Sequence, residues 1–354
     1  MDKKRNGEID ILRFIFAMTI VIYHFSTSYE ISWYKSGGIG VEFFFILTGV
    51  LMAKHSQGIT VTKDQIPNNT YIFLKRKIGT FYPYYISTML MQLIFYDVLL
   101  HHITFGEIIN KVIYGLPNLL LVQMNGIVYS GGIDIGGSWF LSAMVIALFI
   151  LYPILLYGRE YAAKIIFAVI GIMGFGFIFS MNGVILSWGE WALNLSRLMR
   201  ATSEIALGAW GFGFVAKIDG CKLTKTSRIL ITAFKYICFG LAIGCGSFGL
   251  NGSLVALATT FCFMGIILSL SQKTFTIPGN RLTTFLGKIS LAIYLTHNTV
   301  RAITIEVLGD QVDKWIIILI ICICPIVAYV VMAVTDFAIK QFKKFKPLFI
   351  YEEN

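Results

Sequence analysis

Charge is scarce in this chain. Asp, Glu, Lys and Arg together make up 14% of its 354 residues, against 56% hydrophobic residues and a mean hydropathy of +0.75. An ordinary soluble domain, in which about a quarter of residues are charged, is excluded. Organised cysteine chemistry is missing too. Cys221, Cys238, Cys245, Cys262, Cys322 and Cys324 are scattered, and no spacing resembles a zinc site or a disulfide framework. They read as small apolar fillers, and no metal is expected. Repeats, low-complexity tracts and a soluble appendage are also lacking. The basic start and first apolar run mimic a signal peptide. Cleavage is excluded because the run is long and carries Arg13 and His24 inside it.

Long hydrophobic runs are what the chain does have. Stretches of about 20 largely apolar residues, each able to cross a roughly 30 Å hydrocarbon core, recur at about 8–28, 39–54, 80–100, 138–157, 164–181, 199–216, 229–248, 252–271, 285–305 and 314–338. They predict an all-α fold, a polytopic transmembrane bundle of about ten spans. The chain reads as a single membrane domain over 1–354 with a basic tail at about 339–354. The stretch Phe105 to Gln123 carries Glu107, Lys111, Gly115 and Pro117. It reads as an interfacial or re-entrant helix and not as an eleventh span.

The formal net charge of +10 would suit a nucleic-acid partner, but the positions of the charges argue against one. On a ten-span frame one side receives Lys3, Lys4, Arg5, Lys54, Lys63, Lys75, Arg76, Lys77, Arg159, Lys164, Lys217, Lys222, Lys225, Arg228, Lys273, Arg281, Lys340, Lys343, Lys344 and Lys346. The other side receives only Lys35, Lys111, Arg197, Arg200 and Lys314. This asymmetry is the positive-inside signature, and it puts both termini in the cytoplasm.

Two costly polar groups share the first span. Arg13 and His24 stand eleven positions apart, which returns the chain to within about 20° of one face with a rise of roughly 16 Å. A snorkelling arginine or a hydrogen-bonded bundle histidine would explain either residue alone. As a pair on one stripe they mark a functional path through the membrane. A second polar stripe, Ser290, Tyr294, His297 and Arg301, follows helical spacing within about 60° in the ninth span.

These motifs bring the chain close to a known family. It resembles, over essentially its full length, the membrane-bound acyltransferase-3 family of bacteria. Asp10, Arg13 and His24 match the family's Asp-x-x-Arg followed by ten residues and His. The run Gly38-Ile-Gly-Val-Glu42-Phe-Phe-Phe-Ile-Leu-Thr48-Gly49 is similar to its Gly-Val-Asp-x-Phe-Phe-x-x-Ser-Gly pattern. Trp139-Phe-Leu-Ser142 with Tyr152-Pro153, and Gly287-x-x-Ser290-x-x-x-Tyr294-x-x-His297, resemble two further family elements. The chain also departs from the pattern. Lys77 and Thr80 stand before Tyr82-Pro83 where the family has Arg-x-x-Arg, and Met144 stands where many members carry Glu. The extracytoplasmic esterase-like domain of some members is not expected after the last span.

The resemblance implies acyl transfer, most often acetyl, from a cytoplasmic acyl-coenzyme A. The acceptor would be a sugar hydroxyl of a cell-surface polysaccharide or a lipid-linked sugar, and the location a bacterial cytoplasmic membrane. Acyl-coenzyme A would be a co-substrate, with no cofactor bound permanently. Phosphates of the donor need cations, and Arg13 with Lys75, Arg76 and Lys77 could supply them, although the lysines also fit a simple positive-inside flank. His24, on the outer side, could take the proton of the acceptor hydroxyl. Glu42 could hold its tautomer, or be an interfacial carboxylate at a helix start. Asp10 could pair with Arg13 or orient it. Arg197 and Arg200, few among outer-side cations, could meet a glycan carboxylate or lipid-linked phosphate. Trp139, Trp188 and Trp191 could stack on sugar or anchor at the interface, and Tyr294 and His297 would face the acceptor. Two other classes fit the same frame. A transporter or flippase would use the intramembrane Arg and His as a substrate path, but would commonly show two similar halves. A structural or regulatory subunit of a polysaccharide-synthesis complex would not need Arg13 and His24 on one stripe.

Overall fold

Asn6 begins the first helix with a capping contact. Its side chain accepts from the backbone N–H of Glu8 and Ile9 at 3.1 and 3.3 Å, and Glu8 and Asp10 place acidic groups in the positive first turn of α1 (Gly7–Ser28). The computed structural model describes residues 5–31, 33–35, 37–125, 132–180, 190–248, 252–309 and 312–345. Among these residues the chain is helical, with one isolated bridge between Asn6 and Pro278. After α1 come α2 (Gly38–Ser56) and α3 (Ile66–Met91), which has Pro67 in its first turn and runs on into a π-helical stretch, Gln92–Leu100. The short α4 (Phe105–Tyr114) and α5 (Leu116–Leu119) lead to α6 (Ser138–Tyr161) and α7 (Phe167–Ser180). Then follow α8 (Glu190–Gly220), α9 (Lys225–Phe248), α10 (Gly252–Leu270), α11 (Arg281–Leu308) and α12 (Lys314–Phe345).

Among the described residues five helical stretches are long and apolar enough on their own to cross a membrane: Gly7–Ser28, Gly38–Ser56, Ser138–Ile178, Lys225–Phe248 and Lys314–Phe342. The stretch Ser138–Ile178 holds two of the expected spans, and the chain turns between them at Arg159, whose φ is 42° and ψ −114°. The other expected runs also lie in helices, but α3, α8 and α11 mix apolar with polar faces. The last helix does not stop at 338 but continues to Phe345, taking in the first part of the expected tail. Residues 346–354, with Lys3, Lys4 and Trp188, lie outside the described residues, and the side chain of Trp191 is likewise not described.

The stretch 105–123 forms two kinds of structure. A box of Thr104 and Glu107 caps α4, which buries none of its residues. The chain then turns inward, and Asn118, Leu121, Gln123 and Met124 are buried. Tyr85 donates its hydroxyl to the carbonyl of Asn118 at 2.9 Å, and Tyr82 donates to that of Leu119 at 3.0 Å. An exposed helix is thus followed by a segment packed into the bundle.

Small residues set the closest helix contacts. A Cβ on Gly49 of α2 would lie 1.9 Å from the carbonyl oxygen of Ile205 in α8, and one on Gly208 would lie 2.0 Å from that of Ile46. Only glycine lets these two backbones meet, which is the usual device for helix association where water supplies no drive between helices. α2 consequently sits at the centre, with Phe43 stacked on Phe16 of α1 at 4.2 Å and Phe45 on Phe140 of α6 at 4.3 Å.

α1 and α11 run side by side in the same direction. Asp10 packs on Gly287, where a Cβ would come within 2.2 Å of its Oδ1. Further along, His24 meets His297, and Ser28 accepts a hydrogen bond from Arg301 at 2.6 Å. The helix ends gather in two sets. At one, Gly279 donates to the carbonyl of Arg5 at 2.9 Å, Asn6 to that of Ser269 at 2.8 Å, and Ser271 to Asp219 at 2.6 Å. This set joins the start of α1 to the ends of α8 and α10 and the start of α11. At the other, Lys35 donates to the carbonyl of Gly246 at 3.1 Å.

Candidate functional site

Five helices bring the two polar stripes of the sequence to one interior space. A cavity of about 240 Å³ is lined by Arg13 of α1, Thr48 of α2, Lys77 and Thr80 of α3, Met144 of α6, and Ser290 and Tyr294 of α11. Beside it lies a second cavity of about 260 Å³, lined by His55, Phe73 and Arg76, which shares Thr48, Leu51 and Lys77 with the first. The second lies toward the set of helix ends that holds Arg5 and Asp219. Lys77 faces both spaces.

The cations of this site have no carboxylate of their own. Among the described residues neither Arg13 nor Lys77 forms an ion pair. Asp10, expected as a partner of Arg13, goes to Arg5 instead. Arg5 grips it in a fork, with Nε to Oδ2 at 2.5 Å and a second bond to Oδ1 at 2.9 Å. The residues before the helix fold back over its first turn, and the fork-to-carboxylate geometry favours that arginine. Two positive groups thus face one small space with no carboxylate bonded to either among the described residues. Arg76 lines the second of the two cavities. Lys75 is exposed and stands over the ring of Tyr71 at 5.5 Å, lining neither cavity. The Thr80 hydroxyl donates to the backbone carbonyls of Lys77 and Arg76 and so is spent on its own helix. At the position where relatives carry Glu, the sulfur of Met144 accepts from the Thr48 hydroxyl at 3.8 Å.

Tyr294 connects this space to the histidines. Its side chain lines the Arg13 cavity, and its hydroxyl donates to the carbonyl of Gly137 at 2.8 Å. Its backbone carbonyl stands 2.6 Å from Nδ1 of His297. A carbonyl can only accept, so Nδ1 carries the proton and Nε2 keeps its lone pair. Nε2 is buried and has no hydrogen-bond partner among the described residues. The ring of His24, half-buried on α1, lies 5.1 Å from that of His297, centre to centre. Arg301, one turn beyond, donates to Asn298 at 3.2 Å and to Ser28.

The remaining expected residues are placed differently. Glu42 does not orient His24. Its carboxylate is held by Arg200, which also donates from Nε to Glu204 at 3.1 Å and from Nη2 to the carbonyl of Gly38 at 3.4 Å. Glu42 and Glu204 are buried, and each keeps one oxygen without a partner. The charge of Arg200 is therefore met by two buried carboxylates of the fold itself. Arg197 covers the face of Trp139, with its guanidinium 5.2 Å from the ring centre. That stacking face is taken by a cation of the protein itself.

Sequence reading missed a fully buried ion pair between Glu8 and Lys235, at 2.8 Å, in which Lys235 also donates to the carbonyl of Phe275 at 2.7 Å and Glu8 accepts from Ser269 at 3.1 Å. A lone lysine within the apolar run 229–248 was the available signal, since an intramembrane charge needs a partner. Glu204, which shares a face with Arg197 and Arg200 by its spacing in the sequence, is the second acid on Arg200.

Comparison with known proteins gives the family. A profile of the acyltransferase-3 family, described as an acyltransferase domain, matches residues 6–334, nearly the whole chain. No curated protein and no solved structure matches. The matched span contains Arg13, His24, Lys77, Tyr294 and His297, and the all-helical fold with its apolar helices suits an enzyme embedded in the membrane. The chain belongs to the acyltransferase-3 family and is a membrane acyltransferase.

Proposed function

We propose that the protein moves an acetyl group from cytoplasmic acetyl-coenzyme A to a sugar hydroxyl on the far side of a bacterial cytoplasmic membrane, as a ten-span protein with both termini in the cytoplasm. One observation carries the reading: Arg13 and Lys77 face a cavity whose wall residue, Tyr294, holds His297 against His24. The cavity accepts the arm of the donor. Its 240 Å³ suits a slender arm and not a nucleotide, whose phosphates stay at the entrance near Arg76. Arg13 and Lys77 hold the polar groups of the arm, so that its thioester reaches the imidazoles further along α1.

The acceptor hydroxyl sits between the two imidazoles. It donates to the base and attacks the thioester carbonyl. The new C–O bond forms, the C–S bond breaks, and His24 takes the hydroxyl proton and returns it to the leaving thiolate. The products are an ester and free coenzyme A thiol. His297, its tautomer set by Tyr294, keeps a lone pair that accepts from a second hydroxyl of the acceptor sugar and so orients it. Tyr294 acts as the post that joins the donor and acceptor halves.

Purified protein in lipid nanodiscs, given acetyl-coenzyme A and glycan fragments, should release thiol and form a sugar ester in equal amounts. Thiol release without any ester, or neither with any acceptor tried, would remove the reading. Topology is checked separately: a reporter active only outside the cytoplasm should stay silent when fused after Asn354.

A further inference from the structure

The cations read as lying on the far side, with His24, differ in what surrounds them. Lys111 is bonded to Asp97 at 2.5 Å, Arg200 to Glu42 and Glu204, and Arg197 covers Trp139. Lys35 and Lys314 are exposed. Arg301, half-buried at the His24 end of α11, is bonded to neutral groups alone. Its Nε donates to Asn298 at 3.2 Å and its Nη1 to Ser28 at 2.6 Å. A guanidinium carries five N–H donors, so its Nη2 edge is left without a partner among the described residues. No carboxylate pairs with it among them either. Asp134, the acid of the loop that packs on Asn298, accepts from Ser138 at 2.5 Å and from the N–H of Gly136 at 3.1 Å instead.

Two helices running in the same direction set its place beside the imidazoles. Ser28 follows His24 by four residues, and Arg301 follows His297 by four. The bond from Arg301 to Ser28 is therefore a second rung between α1 and α11, one turn, roughly 6 Å, beyond the rung of His24 and His297. The charge of Arg301 acts on both imidazoles. In the proposed reaction His24 gains a positive charge when it takes the hydroxyl proton, and a bare cation one turn away opposes that. An anion on Arg301 offsets the opposition. It has to arrive with the acceptor, because no acid among the described residues pairs with this arginine. One helical turn is about the width of a sugar ring, so the anion and the attacking hydroxyl fit on one ring or on adjoining ones.

We propose that Arg301 selects an acidic acceptor: the sugar carries a carboxylate or a phosphate group, which the free edge of this guanidinium binds while a hydroxyl meets His24. The role of that hydroxyl rests on the acyl-transfer reading, but binding of the acid does not require turnover. The planar fork of arginine suits either anion. Arg301 is thus the residue that tells a charged acceptor from a neutral one.

The test uses the full-length protein in nanodiscs of a zwitterionic phospholipid, without acyl donor. Three radiolabelled disaccharides, ending in glucuronic acid, in glucose or in a phosphorylated glucose, are compared by equilibrium dialysis. At least one acidic sugar should bind about 10-fold tighter than the neutral one, a preference that added salt weakens. Arg301→Gln should abolish the preference and leave binding of the neutral sugar unchanged. Arg301→Lys should keep part of the preference, and Lys35→Gln should keep all of it. Tighter binding of the glucuronate names a carboxylate as the group held, and tighter binding of the phosphorylated sugar names a phosphate; either sustains the proposal. Equal binding of all three by the wild-type protein, or binding of none, would overturn it without any variant. A preference that survives Arg301→Gln, or that falls equally in Lys35→Gln, would overturn it as well. Arg301-dependent binding by a protein that transfers no acyl group would sustain the proposal and count only against the transfer reading. Transfer to neutral and acidic sugars alike, unchanged in Arg301→Gln, would do the reverse.

Discussion

Arg13 and Arg200 are both arginines set among apolar helices, and their surroundings are opposite. Arg200 is clasped by Glu42 and Glu204, so its charge is spent within the fold. Arg13 faces a cavity with Lys77 for company, and its nearby acid, Asp10, is bonded to Arg5 instead. A buried ion pair costs nearly as much in desolvation as it returns, so its presence says little about function. Two unpaired cations around an empty space are harder to explain structurally, because they repel each other and pack poorly. The residue type alone does not separate an architectural arginine from a functional one; the carboxylate count around it does.

This contrast can be tested by removing each arginine in turn. Arg200→Ala leaves two buried carboxylates without their cation and should cost about 3–5 kcal/mol, read as loss of folded protein in a thermal unfolding series. Arg13→Ala orphans no partner and should change stability by less than about 1 kcal/mol while abolishing transfer. Arg13→Lys should also lose most activity, because it keeps the charge and loses the fork. Equal destabilisation by the two alanine variants would erase the distinction. The Glu8–Lys235 pair extends the comparison. Lys235→Met should cost a similar 3–5 kcal/mol, and adding Glu8→Leu should restore most of it, since the penalty comes from the stranded acid.

Smaller effects separate the two cavities. Arg76 lines the one toward the entrance, so Arg76→Ala should raise KM for the donor about 10-fold through loss of a charge-assisted contact and leave saturated turnover nearly unchanged. A drop in turnover with unaltered KM would move Arg76 into the chemical step. The smallest effect is expected at Glu204. Two carboxylates share one guanidinium, so Glu204→Gln should shift stability by no more than about 1 kcal/mol. A larger loss would mean that both acids are needed in charged form.

Much of the site was legible because helical periodicity is local. Eleven residues between Arg13 and His24 fix their shared face whatever surrounds them, and the stripe from Ser290 to Arg301 obeys the same rule. Pairings between helices were not legible. Glu42 reads as free to reach His24 until α8 is placed, and α8 is placed by Gly49 and Gly208, which touch backbones rather than side chains. Asp10 reads as a partner for Arg13 at helical spacing, but the residues before the helix deliver Arg5 to it first. The ten apolar runs all fell on helices, yet only five helical stretches are apolar enough to declare themselves as spans. Helices that bury a polar stripe against their neighbours, such as α11 with His297 and Ser290 fully buried, need the bundle to make sense of their sequence.

The central claim is that the donor cavity at Arg13 and the imidazole pair form one reaction path. The most direct measurement is ester formation on an acceptor sugar by wild-type protein and by His24→Gln, each in nanodiscs with saturating acetyl-coenzyme A. Glutamine keeps hydrogen bonding but cannot take the proton, so the expected loss is about 10²–10⁴-fold with the fold and donor binding intact. Near-normal ester formation by His24→Gln, with Arg13→Ala still inactive, would contradict the account by detaching the histidines from the path.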